Sequence, residues 1–229
     1  MTAPTLATQS PVADILAMIQ VIAPDTRRLL NGVTWEEYKQ VSAALPDSAK
    51  VRLAYHEGML EIVTYDITHE HYKESLLRLV SMIADAMEID LESIGSTTLT
   101  REQAKSAAEP DTAFYVTHAQ SMIGCKAMDL EKNPPPDIVV EVDITNSSWN
   151  KRALYAKFGV PELWHLVLTN LTIYALHDGG YQPRVTSQMF PFLTAQALTQ
   201  FLEECETEGQ AKALRNFRKQ FISFLRPAQ

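Results

Sequence analysis

The segment Pro134–Gly159, PPPDIVVEVDITNSSWNKRALYAKFG, constrains the fold of this chain more than any other stretch. Three prolines give way to an apolar, β-branched run, so a strand opens near Asp137. Side chains alternate across a strand, which puts Asp137, Val139, Glu141 and Asp143 on one face. Ile138, Val140, Val142 and Ile144 take the other, which reads as the core face. Acids this close together repel, and burial makes each ionised carboxylate costlier. A positive group is therefore expected over the acidic face. The helix SSWNKRALYAKFG follows, with a serine cap and Gly159 as its stop. Lys151, in its opening turn, is the nearest candidate.

Elsewhere the periodicity is mostly helical or alternating. Residues 1–12, rich in Thr, Ala, Ser and Pro, are expected to be loosely ordered. Thr34 with Glu37 three residues on is a capping box, so a helix is expected from Trp35. KVRLAYHEGMLEIVTYD reads as a hairpin turning at Glu57-Gly58. HEHYKESLLRLVSMIADAM carries one apolar stripe, Tyr72, Leu76, Leu79, Val80, Ile83 and Met87, and is a long helix. IDLESIG and DTAFYV are short strands flanking a polar stretch from Thr97 to Glu109. ELWHLVL, LTIYALHDGG and YQPRVTS continue as strands, and helices return after Pro191. The layout is a mixed α/β core over 13–190 with a helical C-terminal extension over 191–229.

Composition narrows the class. At 229 residues, 46% hydrophobic and 21% charged, the chain can bury a sizeable core. A net charge of -8 argues against a broadly basic coat for nucleic acid, though not against a local basic groove. Cys125 and Cys205 make neither a disulfide framework nor a zinc cluster and read as reduced thiols. The start resembles no secretory signal and no run suits a membrane span, so a cytoplasmic protein is expected.

Glu109-Pro110-Asp111 places Asp111 at the mouth of the TAFYV strand. Asp111 and Glu141 on neighbouring strands form a pair able to hold a divalent cation, because magnesium takes oxygen ligands and often only one or two protein carboxylates. EPDTAFYV, PPDIVVEVDITNSS and KRALYAKFGVPELWHL together resemble the Uma2 family of restriction endonuclease-like proteins, within the PD-(D/E)XK nuclease superfamily, from about Thr34 to Tyr181. The resemblance implies a restriction-endonuclease-like mixed β-sheet core flanked by helices. It also implies Asp111 and Glu141 as metal carboxylates with Mg²⁺ or Mn²⁺. In much of the superfamily a lysine lies two residues after the glutamate; here that position is Asp143, and Lys151 on the following helix takes the role. Asp143 is then either an added metal ligand or a partner for Lys151. Glu70 stands for the first-helix acid, with His69, His71 and Glu74 near enough to compete.

Other residues have plainer readings. His69 and His71, two apart, share no helix face and make a poor metal pair. His56 and His165 read as strand histidines with local hydrogen bonds, and Trp149 and Trp164 as packing residues. LRNFRKQF reads as a solvated basic helix face that could touch DNA. The sequence points to a metal-dependent endonuclease acting on DNA, expected to be a homodimer because a duplex offers two strands to cut. The rivals are a nuclease-fold protein that binds or assembles without turnover, and a hydrolase of another phosphoester.

Overall fold

The computed structural model describes residues 11–24, 26–46, 49–65, 67–143 and 151–221. The expected serine cap, Ile144, Trp149 and residues 1–10 lie outside the described residues. The first helix, α1 (Pro11–Val21), opens inside the stretch expected to be loose. Proline suits a helix's first turn, and Ile15 and Ile19, one turn apart, are both buried.

Two sheets carry the fold. The first has five strands in the order β1 (Arg27–Asn31), β3 (Met59–Thr64), β2 (Val51–His56), β6 (Ser106–Ala108) and β5 (Leu99–Arg101). The hairpin between β2 and β3 turns at Glu57-Gly58, both with positive φ, which suits the twist of a tight two-residue connection. The β5–β6 hairpin occupies the stretch that the sequence left as a polar connection. Its strands are three residues each, too short for alternation to register. Strand β1 was also missed, because RRLLN does not alternate.

The second sheet has six strands, ordered β11 (Gly180–Arg184), β10 (Asn170–His177), β9 (Glu162–Val167), β8 (Ile138–Asp143), β7 (Thr112–Tyr115) and β4 (Glu92–Ser93). β8 pairs antiparallel with β7 and parallel with β9. The parallel step needs a crossover, and the short helix α5 (Arg152–Phe158) supplies it before Gly159 caps it in the left-handed region at φ 79°.

The cores explain the placement of the acids. Leu53, Tyr55, Leu60 and Ile62 of the hairpin pack with α1 and α2 (Trp35–Ala44), whose capping box is present. The alternate hairpin residues Arg52, Ala54 and Glu61 therefore face the other way, towards the second sheet. On β8, Ile138, Val140 and Val142 pack beneath α3 (Ile67–Met87), α6 (Ala195–Glu208) and α7 (Gln210–Phe221). Val139, on the acidic face, packs with Ala54, Leu154, Tyr155 and Phe158. Both faces of β8 are thus core, and its acids sit in the seam between the two sheets and α5. A four-residue helical turn, α4 (Ala119–Met122), completes the elements. Among the described residues no helix is long and apolar enough to cross a membrane.

Candidate active site

Asp111 enters the seam just ahead of β7, and its backbone N–H donates to the Val140 carbonyl at 3.1 Å. Continuing the Thr112–Val140 pairing by one step sets Asp111 beside Glu141. The Asp111 carboxylate is buried and fully engaged. Arg52 Nε donates to Oδ1 at 2.9 Å and the Val142 N–H donates to Oδ2 at 2.6 Å. His69 Nε2 lies 3.1 Å from Oδ1. Burial pushes the carboxyl's pKa up, but His69, then Arg52 and Lys151, outweigh that and hold it well below the usual carboxylate range.

Glu141 is buried in the middle of β8 and meets Lys151 Nζ at 2.8 Å through Oε2. Its Oε1 accepts a short hydrogen bond from the Tyr155 hydroxyl. Lys151 stands at the N-cap of α5 and Tyr155 one turn on, so both reach back to the same carboxylate. Burial raises the Glu141 pKa; Lys151 opposes this and Asp111 reinforces it, leaving it above the ordinary value. Burial alone would lower Lys151, yet Glu141, Glu61 and Asp111 together raise it, so the ammonium keeps its proton. Lys151 thus supplies the positive charge that Glu141 needs.

Asp143 has other partners. Arg27 makes a short ion pair to Oδ1, and His165 Nε2 lies 2.7 Å from Oδ2. Lys151 acts on Asp143 only through its field; the carboxylates near its ammonium are Glu141 and, at 4.0 Å, Glu61. Glu70 lies 3.5 Å from Arg52 and 2.7 Å from Lys73, at the rim beside Asp111. Among the described residues Glu74 reaches only Lys73, at 3.9 Å.

Five members of this cluster were not singled out from the sequence as site residues: Arg27, Arg52, Glu61, Tyr155 and His165. Arg52 and Glu61 left a signal, polar positions on the second face of an apolar hairpin. Tyr155 left one too, four residues after Lys151. Glu61 is wholly buried with Arg27 Nε 2.9 Å from Oε1, and among the described residues neither oxygen accepts a hydrogen bond. Burial, opposed by Lys151 and Arg27, lifts its pKa to about 7.

The donor set suits a hard dication. It offers carboxylates on adjacent strands, and Asp111 and Glu141 feel each other's charge. Among the described residues no three or more His, Cys, Asp or Glu side chains converge as a ready-made metal cage. Two carboxylates are nevertheless the usual protein share for magnesium, and here Arg52 and Lys151 neutralise them.

The two opposed sheets, the strand-borne acids and the lysine at the crossover helix define a restriction-endonuclease-like α/β protein. Residues 35–206 match the family Uma2, described as "Putative restriction endonuclease", and the chain belongs to that family. The fold is also similar to a crystal structure titled as that of a putative nuclease belonging to DUF820 from Anabaena variabilis. The TM-score is 0.50 at 16% identity, covering 74% of this chain and 99% of that one. No match was found among curated proteins.

Proposed function

We propose that this protein is a divalent-metal-dependent endonuclease that hydrolyses DNA phosphodiester bonds, with Mg²⁺ or Mn²⁺ as the cation. The observation that carries the reading is the buried Lys151–Glu141 pair set beside Asp111 in the seam between the sheets. Asp111 and Glu141 would hold the cation, with Asp143 as a further carboxylate. When bound, it supplies positive charge at the scissile phosphate and eases deprotonation of the attacking water. Lys151 donates to a phosphate oxygen or orients the water, and its raised pKa keeps it a donor throughout the neutral range. Tyr155 and the Val142 N–H fix the orientation of Glu141 and Asp111, and Glu70 helps to place Arg52.

One observation favours the rival, a nuclease-fold protein that binds or assembles without cutting. Both oxygens of Asp111 and of Glu141 are already taken by protein donors. Plasmid cleavage in Mg²⁺ and Mn²⁺, with calorimetric titration of the same metals, separates the two readings. The wild type is expected to bind the cation and cut. Glu141→Ala should lose both, and Lys151→Ala should lose about 10²–10³ in rate while still binding metal. Cutting by Glu141→Ala at the wild-type rate overturns the site, and DNA binding without cleavage in either metal makes the rival correct.

A further inference from the structure

Helix α7 combines a docked apolar face with a cationic face for which the proposed active site has no use. Its sequence QAKALRNFRKQF holds four basic residues and no acid, in a chain whose net charge is -8. Ala213 and Phe217 are buried, with Phe217 packed edge-on against Phe201 of α6 and stacked on Phe221. At 100° per residue these positions define one side; Lys212, Arg215 and Lys219 fall on the opposite side and Arg218 on its flank. All four are exposed.

Acids do approach from α6, but they neutralise only one end. Glu208 pairs with Lys212 at 3.1 Å, and Glu204 accepts from Asn216 at 3.1 Å. Among the described residues Arg215, Arg218 and Lys219 have no ion-pair partner. The basic positions lie within the eight residues 212–219, about 10 Å of helix, a length that faces about three phosphates of one DNA strand. The start of α7 is tied to the helix that borders the acidic seam. Gln210 donates to Ser75 Oγ at 3.0 Å and accepts from Arg78 at 2.7 Å. Ser75 lies five residues, about 8 Å, along α3 from Glu70. The helix also follows residue 206, beyond the part of the chain that matches the family.

We propose that the exposed face of α7 is a docking surface for the sugar-phosphate backbone of duplex DNA, through Arg215, Arg218 and Lys219. An acidic protein repels a polyanion at long range, and a local cationic stripe is the element that offsets this where contact is made. The inference rests on DNA as the substrate but not on cleavage, so binding alone tests it.

Fluorescence anisotropy of a labelled random-sequence duplex with the full chain in EDTA, from 50 to 200 mM salt, provides the measurement. Three proteins are compared: wild type, Arg215→Ala/Arg218→Ala/Lys219→Ala, and Lys105→Ala/Lys126→Ala/Arg184→Ala, which removes equal charge from exposed sites elsewhere. The α7 variant is expected to bind at least about 10-fold more weakly, with a slope of log affinity against log salt shallower by about 2–3. The control variant should stay close to wild type. Equal weakening of both variants overturns the inference in favour of net charge alone. Wild-type binding untouched by the α7 variant overturns it while leaving the nuclease reading intact. No binding by the wild type removes the inference and the choice of DNA together. An α7 variant that turns a dimer into a monomer without altering the salt slope shows the face to be a contact between copies instead.

Discussion

Glu61 shows how a single residue acquires its properties from the tertiary structure. In the sequence it is one acid in an apolar hairpin; in the fold it is a wholly buried carboxyl between Arg27 and Lys151, with Glu141 and Asp143 nearby. Its pKa of about 7 lies above the ordinary value of 4.5. The folded protein therefore holds a proton that the unfolded chain releases at lower pH. Glu61's contribution to stability is full below about pH 4.5 and is lost as pH rises through 7. The loss at pH 8 is on the order of 3 kcal/mol. Glu61→Gln cannot titrate, so its stability relative to wild type is expected to improve from pH 5 to pH 8. Urea unfolding at the two pH values checks this, and a difference that does not change with pH contradicts it. Asp111 and Asp143, held below the ordinary range, act in the opposite sense: their contribution is lost on acidification.

Among the elements, α5 does the most for the site. It is short, yet it closes the parallel step from β8 to β9 and aims both Lys151 and Tyr155 at Glu141. Its stop sets where β9 begins. Gly159 sits at φ 79°, and the nearest atom to a Cβ added there is Pro135 Cγ at 3.9 Å, an ordinary contact. Gly159→Ala should therefore cost only the left-handed backbone penalty, about 1 kcal/mol, without a clash. Thermal unfolding measures that cost. Much larger destabilisation would mean that the end of α5 tolerates no adjustment, and Lys151 would then be expected to shift with it.

For the whole molecule the open quantity is the number of copies that act together. We predict a homodimer, since the described residues of one chain form a single acidic seam and a duplex has two strands. Light scattering at micromolar concentration should give twice the 25.7 kDa of one chain. A mass of one chain across that range removes the prediction.

Local rules were enough for part of this molecule. The capping box at Thr34, the turn at Glu57-Gly58, the stripe of α3 and the alternation of β8 depend on residues within a few positions of one another, and each formed where the sequence places it. The motif order also made the family legible and named Asp111, Glu141 and Lys151, which the fold gathers into one seam. The partners of the acids were not legible. Arg52 meets Asp111 across 59 positions and Arg27 meets Asp143 across 116, contacts that exist only once one sheet faces the other. The short β5–β6 hairpin was hidden too, because its three-residue strands carry no pattern of their own and β6 is held by pairing to β2. Periodicity determines which side of an element is apolar; only the packing of the two sheets decided which charge each buried acid would meet.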